Sequence, residues 1–354
     1  SGRTGVHVRG VWGAGTGDVV GLALASADGS GASLDPTTLS PEDEKALAEW
    51  LADPDRPKAL HDAKGPLHAL ASRGWTLAGL ASDTALSAFL ALPGQRSYDL
   101  ADLVLRFLSR ELRAEGDNGE AEVQLSLDGG DEAATARDDA VRARAVIDLA
   151  DALDAELTRR GGRRLLDEVE LPLVGVLVDM ERRGIAVDVE HLSDLERRFA
   201  DEVKRAADAA YEAIGHEVNL GSPKQLQAVL FDELAMPKTK RTKTGYTTDA
   251  DALVELFAKT EHPFLAALLR HRDASRLRTT VEGLLKSVSD DGRIHTTYNQ
   301  MIAATGRLSS TDPNLQNIPV RTEEGRRIRE AFMVGPGNES LMTADYSQIE
   351  MRIM

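Results

Sequence analysis

An α/β region, then a long α region, then a short extended segment is the fold class this sequence predicts. Three observations predict it. Strand-like and helix-like runs alternate over roughly the first 110 residues. From residue 132 the apolar residues keep a helical period as far as 287, and after Gly292 short extended runs and turns take over.

Two strands, Val6 to Trp12 and Asp18 to Ala25, open the chain, and Gly13-Ala14-Gly15-Thr16-Gly17 between them reads as a turn. Helices are expected near 41–52, 64–73, 82–92 and 99–113, with a short apolar strand from Lys58 to Leu60. Residues 114–131 are acidic and rich in Gly, with Asn-Gly and Gly-Gly breakers, and read as a flexible surface loop. Helices follow over 139–160 and 163–183, the second ended by Gly184, then a brief extended Ile185-Ala186-Val187. A further helix covers 189–214 and closes at Gly215. Ser222 caps and Pro223 opens the next helix, which turns Leu226, Val229 and Leu230 inward. Residues 237–247 break the pattern, and helices resume over 249–259 and 262–287. Ile294 to Tyr298 is extended, a loop follows, a helix lies near 323–332, and Leu341 to Tyr346 reads as a buried strand. No internal repeat is apparent.

The length of 354 residues suits two or three domains. Hydrophobic residues at 42% allow packed cores, and aromatics at 4% leave Leu, Ala and Val to fill them. The absence of Cys excludes disulfides and thiolate metal sites and fits a reducing cytoplasm. No apolar run is long enough to cross a bilayer and no signal peptide is present. The chain begins at Ser1 without a Met, which suggests a piece processed or cut from something larger. The net charge of −16 argues superficially against nucleic acid. That average hides a gradient, because residues 237–354 carry 17 Lys and Arg against 15 Asp and Glu. A phosphate-binding surface needs local positive charge, so the last third is where one is expected.

Several motifs must be weighed against plainer readings. Gly13 to Gly17 resembles a dinucleotide fingerprint only loosely, since Asp18 stands where the third glycine belongs; a hairpin turn explains it better. His61-Asp62 lacks companion ligands for a metal-dependent phosphohydrolase and reads as a capped turn. Lys238, Lys240, Arg241 and Lys243 form the densest cationic cluster of an acidic chain, at the tip of a helical arm; Thr239, Thr242 and Thr244 add hydroxyls suited to phosphate oxygens. Thr305 to Pro319 concentrates Arg, Ser, Thr, Asn and Gln, with two amides bracketing Leu315. Such groups can bond purine N3 and pyrimidine O2, acceptors that every base pair shows in the minor groove, and so check pair geometry without reading sequence. In Ala344 to Arg352, an Asp closing an apolar strand is a rigid place for a metal ligand.

Ala304-Thr305-Gly306-Arg307 through Arg321, followed by Ala344 through Arg352 with Met351 for the usual Leu, resembles the signature of bacterial family A DNA polymerases, in the Klenow-type large fragment of the DNA polymerase I type. Weaker likeness runs back through Ser222–Leu226, Glu170–Leu177 and Val20–Ala25, and the Ala/Arg/Asp-rich texture is actinobacterial-like. The resemblance implies a ribonuclease-H-like 3′–5′ exonuclease-like domain over 1–160, a helical thumb over 161–292, and the start of the polymerase palm over 293–354. It implies template-directed addition of deoxynucleotides to a primer 3′ end, with two Mg²⁺ ions as cofactor and primer-template DNA and deoxynucleoside triphosphates as partners, in a cytoplasmic, nucleoid-associated monomer. By that resemblance Asp345 and the Tyr346 carbonyl bind metal. Glu350 excludes the ribose 2′-hydroxyl, with Ser347, Gln348 and Ile349 along the same floor and Arg321 balancing triphosphate charge. Arg307, Asn314 and Gln316 touch the duplex near the primer terminus, and Ser222, Lys224, Lys238, Lys240, Arg241 and Lys243 touch DNA from the thumb. The fingers and the second palm carboxylate are expected beyond Met354, so this chain by itself is expected to lack a complete active site.

The exonuclease signature departs. Gly10 and Trp12 stand in the places of the first Asp-x-Glu, Pro66 in that of the second Asp, and Ala134 or Thr135 in that of the third motif's Tyr, although Asp138 or Asp139 keeps a carboxylate. Two-metal hydrolysis needs those ligands, so residues 1–160 are expected to be a scaffold without proofreading activity. Two other readings are a non-catalytic module that only grips primer-template, and a 3′–5′ exonuclease.

Overall fold

The computed structural model describes residues 2–112, 130–242 and 245–354. These divide into two compact units, Ser1–Gly184 with His295–Gln316, and Ile185–Ile294 with Asn317–Met354.

Alternation of Val6 and Val8 with smaller or polar residues makes β1 (Thr4–Gly13), which pairs antiparallel with β2 (Thr16–Ala25). Ala14 and Gly15 turn the hairpin, both at positive φ (49° and 72°), the twist that two-residue hairpin turns require. β3 (Gly31–Leu34) extends the sheet beside β2. Ser40 caps α1 (Pro41–Ala52) by accepting from the Asp43 N–H. β4 (Lys58–Leu60), α2 (Lys64–Ser72) and β5 (Leu80–Asp83) complete a five-stranded sheet in the order β3-β2-β1-β4-β5, with β4 parallel to both neighbours. Parallel neighbours need helical crossovers, which α1 and α2 supply. Lys58 is wholly buried, and its ammonium donates to the carbonyls of Asp53, Arg56 and Ala78, so the charge is not left unpaired.

α3 (Thr84–Ala91), α4 (Leu100–Leu108) and α5 (Gly130–Arg160) follow. α5 lies on the sheet because Gly5 lets it in: a Cβ at Gly5 would stand 2.1 Å from the Ala143 carbonyl oxygen. Ala23 and Ala25 pack there with Ala143 and Ile147. Val6, Val8 and Leu22 join Leu51, Leu60 and Leu70 in the main core. α6 (Arg163–Leu165), a wide π-type turn (Leu166–Glu170) and α7 (Leu171–Arg183) continue the chain. The compact units do not divide at the 160/161 boundary that the resemblance implies for the domains. Leu166, Leu171 and Val174 are buried in the first unit's core, and the units divide after Gly184.

The second unit starts with β6 (Ile185–Ala186) and α8 (Val189–Ile214), capped by Asp188 and closed by Gly215 at φ 81°. α9 (Pro223–Gln227) and a π-type turn (Ala228–Glu233) place Leu226, Val229 and Leu230 in the core, as their spacing predicts. β7 (Arg241–Thr242) and β8 (Gly245–Tyr246) form a small hairpin before α10 (Ala250–Thr260) and α11 (Pro263–Lys286). β9 (Arg293–Ile294) pairs with β6.

The chain then returns to the first unit with β10 (Thr297–Asn299) and β11 (Ser309–Thr311), an antiparallel pair. β11 falls inside the stretch expected to be loop; it is short and polar, so it gives no apolar alternation to read. β3 and β5 escape the sequence for the same reason, each only four residues long. α12 (Glu323–Glu330) and α13 (Ile349–Ile353) close the second unit. The buried strand expected over 341–346 is not formed. Leu341, Met342 and Tyr346 are exposed. A strand needs a neighbour to complete its ladder, and no described strand pairs with these residues. The expected loop over 114–131 lies almost wholly outside the described residues.

Candidate active site and nucleic-acid interface

The amide-bearing segment is built from a buried base. In the first unit Glu181, on the apolar face of α7, is almost fully buried. Its carboxylate takes Lys64 Nζ at 2.5 Å, His68 Nε2 at 2.6 Å and the Tyr298 N–H at 2.6 Å, and its carbonyl oxygen stands 2.7 Å from His295 Nδ1. Burial opposes its ionisation, but the bonds from His68 and Lys64, the Lys64 charge and the Tyr298 N–H prevail and hold its pKa below the ordinary glutamate value. This junction joins α2, α7 and β10. The sequence reading missed it, though one signal was there: a carboxylate continuing the stripe Leu171, Val174, Leu177, Val178 of a helix.

Arg307 lies in the loop between β10 and β11, Asn314 and Gln316 lie in the segment after β11, and all three are exposed. Asn314 Oδ1 accepts from the Gln316 N–H at 3.0 Å, and Gln316 Nε2 donates to the Leu308 carbonyl at 3.1 Å. Each amide nitrogen has two hydrogens, so both side chains keep donors facing outward.

In the second unit Asp345, Tyr346, Ser347, Gln348, Ile349 and Glu350 are all exposed, as is Arg321. Gln348 takes positive φ (53°) just ahead of α13, and the Ser347 carbonyl accepts from Arg352 Nε. Among the described residues no three potential His, Cys, Asp or Glu ligands converge. One aspartate and a backbone carbonyl would be only part of an oxygen ligand set for a divalent cation, so the described residues do not assemble a metal centre by themselves.

The basic tip rests on the second unit's core through Tyr246, which meets Phe231 edge-on at 5.3 Å and lies under Lys238 Nζ at 5.1 Å. Lys238, Lys240 and Arg241 are exposed; Lys243 and Thr244 lie outside the described residues. Of the hydroxyls expected to meet phosphate, Thr239 donates to the Thr247 carbonyl and Thr242 to the Gly245 carbonyl. Both protons are used within this segment, so among its described residues Lys238, Lys240 and Arg241 are the exposed cations. Ser222 caps α9 by accepting from the Gln225 N–H, while Lys224 is exposed.

Other contacts occupy the positions where the resemblance expects exonuclease motif residues. Gly10 sits at a bulge, where a Cβ would stand 2.2 Å from the Asp18 carbonyl oxygen, so no side chain fits without moving backbone. The Trp12 ring covers Gly65, Pro66 is buried beside it, and Ala134 is exposed on α5. Asp139 survives but is held by Arg9 Nε at 3.0 Å, with His7 at 3.6 Å, and Asp138 is bonded to Arg142. Asp83 caps α3 and takes the Asp62 and Ala63 N–H groups as well; burial and the nearby Asp62 carboxylate push it up to about 6. Burial lowers His61 to about 4.

Against known proteins, the model of DNA polymerase family A matches residues 189–354, and that of the DNA polymerase I ribonuclease H-like domain matches 15–116. DNA polymerase I of Mycobacterium tuberculosis (strain H37Rv) is 64% identical over 340 residues, 96% of this chain and 37% of that protein. DNA polymerase I of Geobacillus stearothermophilus is 39% identical over 342 residues, 95% of this chain and 38% of that protein. The solved POL domain of Pol1 from M. smegmatis, in complex with DNA primer-template and dNTP, superposes with TM-score 0.91 at 61% identity, covering 99% of this chain and 58% of that one. The fold is thus a ribonuclease-H-like exonuclease-like domain with a family A polymerase region. The chain belongs to the bacterial DNA polymerase I family, and it spans a little over a third of the length of the curated relatives it matches. No described helix is long and apolar enough to cross a membrane.

Proposed function

We propose that this chain is the exonuclease-like, thumb and early palm portion of a DNA-directed DNA polymerase acting in replication and repair. The observation that carries this reading is the likeness, over nearly the whole chain, to a polymerase domain solved with primer-template and dNTP. The reading assigns the exonuclease-like domain to residues 1–160, the thumb to 161–292 and the beginning of the palm to 293–354.

In this reading Asp345 and the Tyr346 carbonyl hold divalent metal, taken to be two Mg²⁺ ions, which when bound activates the primer 3′-hydroxyl and steadies the triphosphate. Glu350 closes the space a ribose 2′-hydroxyl would need, and Ser347, Gln348 and Ile349 extend that floor. Arg321 offsets triphosphate charge. Arg307, Asn314 and Gln316 hydrogen-bond minor-groove acceptors of the last primer pairs, where correct pairs put them in common places. Lys238, Lys240, Arg241, Lys243, Lys224 and Ser222 grip phosphates irrespective of sequence. The exonuclease-like domain does not hydrolyse DNA, because Gly10 excludes a carboxylate and Asp139 is already paired. The enzyme works as a cytoplasmic, nucleoid-associated monomer.

The test is primer extension by the full-length protein with Mg²⁺ on templates presenting each base in turn. Incorporation of the complementary deoxynucleotide, with loss of ribonucleotide exclusion in Glu350→Ala, is expected. Template-independent addition, or unchanged sugar discrimination in that variant, contradicts the assignment.

A further inference from the structure

Two buried hydroxyl side chains bond to the backbone of the amide segment. Thr296 and Ser310 are buried, at 4% and 0% exposure, and their hydroxyl oxygens lie 2.6 Å apart. Thr296 Oγ1 is also 2.8 Å from the Pro313 carbonyl and 3.0 Å from that of Thr311. Ser310 Oγ receives the Leu315 N–H at 3.1 Å and lies 3.2 Å from the Pro313 carbonyl. Each hydroxyl has one proton to give. The Leu315 N–H can only donate and the Pro313 carbonyl can only accept. The arrangement that uses the shortest contacts therefore runs Leu315 N–H to Ser310, Ser310 O–H to Thr296, and Thr296 O–H to the Pro313 carbonyl.

That chain of bonds closes on both neighbours of Asn314, while the Asn314 and Gln316 side chains lie outside it and exposed. Thr296 is the residue before β10 and Ser310 is in β11, so the bracket spans the hairpin and is seated on rigid backbone. Hydroxyl chains of this kind strengthen one another, and a buried N–H or carbonyl left without its partner is costly.

We propose that Thr296 and Ser310 are positioning residues: their hydroxyl pair fixes the backbone of 313–315 so that Asn314 and Gln316 present their amide donors in one geometry to the minor groove at the primer terminus. The inference rests on the polymerase reading given above. Its consequence is selective. Amides held in place recognise acceptors at the positions common to correct pairs, and amides on a loosened backbone recognise them less sharply.

The experiment uses the full-length enzyme with four variants, Thr296→Val, Thr296→Ser, Ser310→Ala and Gln316→Ala. kcat and KM are measured for extension of matched and mismatched primer ends, beside thermal unfolding. Thr296→Val and Ser310→Ala should each narrow the matched-to-mismatched ratio of kcat/KM by about tenfold, the effect of one hydrogen bond. Most of that loss should fall on kcat for the matched end, and Thr296→Ser, which keeps the hydroxyl, should restore the ratio. Equal behaviour of Thr296→Val and Thr296→Ser overturns the role of the hydroxyl. A Gln316→Ala effect with no change in Thr296→Val or Ser310→Ala overturns the positioning claim while leaving the polymerase reading intact. An inert Gln316→Ala removes the amide contact itself, and the proposal with it. If Thr296→Val does not fold, Ser310→Ala, which removes one small buried oxygen, decides the question.

Discussion

The stretch around Asn314 and the stretch around Asp345 are each parts of one sequence signature, yet they stand in opposite physical states. The first is seated on a paired hairpin, a buried hydroxyl bracket and the Glu181 junction, all within its own unit. The second is exposed and pairs with no described strand. A recognition surface made of amides can be organised by bonds among near neighbours in space. A metal-holding aspartate on a strand depends on adjacent strands and on other carboxylates, and the described residues supply neither.

If the first region is held by its base, damage to that base should be severe. Glu181→Gln leaves the Lys64 ammonium without its counter-charge, and breaking a buried pair of this kind costs about 3–5 kcal/mol. Denaturant unfolding followed by a probe in the sheet unit measures it; a loss under about 1 kcal/mol, the level of an exposed pair, means the junction is dispensable. Asp83→Asn removes a carboxylate oxygen from the Ala63 N–H and should cost about 1–3 kcal/mol, measured in the same way.

The tip gives a contrast of another kind, since the role proposed for it is electrostatic rather than structural. Replacing Lys238, Lys240 and Arg241 by Gln in the full-length protein should weaken primer-template binding about equally for all sequences. The slope of log affinity against log salt should become shallower by about 0.9 for each phosphate that the protein no longer neutralises. An unchanged slope means the tip only faces solvent.

The smallest effect is one of pH, with two groups of opposite sign. His61 has its folded-state pKa lowered from 6.5 to about 4, so its contribution to stability is present above 6.5 and lost as pH falls towards 4. Asp83 is raised from 3.8 to about 6, so its contribution is present below 3.8 and lost as pH rises through 6. His61→Gln should flatten the acid side of the stability curve between pH 4 and 6.5, and Asp83→Asn should steepen it. Identical curves for the two variants contradict the opposing signs.

The same contrast explains what the sequence made legible. Helices with an apolar period and a capping Ser or Asp, such as those begun at Ser40, Asp188, Ser222 and Asp249, could be placed within a residue or two. Short polar strands could not, because Gly31–Leu34 and Ser309–Thr311 have no alternation of their own and exist through their partners. The apolar run at Leu341–Tyr346 misled for the converse reason: it has the composition of a strand but no partner among the described residues. At the candidate site, the outward-facing Arg307, Asn314 and Gln316 were readable as residue types. Glu181, Lys64, Thr296 and Ser310 were not, since their roles arise only when segments more than a hundred residues apart, or the two arms of a hairpin, are brought together.

Two carboxylates, Asp345 and Asp139, are the candidates for metal-dependent chemistry, and only the first is assigned it. Single-turnover incorporation with Mg²⁺ by the full-length protein, alongside primer-template binding, compares Asp345→Asn with Asp139→Asn. Removal of a metal ligand forfeits several kcal/mol of transition-state stabilisation, so Asp345→Asn should slow incorporation by roughly a thousandfold with binding retained. Asp139→Asn should leave the rate unchanged. Incorporation that survives loss of Asp345, or that falls with loss of Asp139, contradicts the assignment.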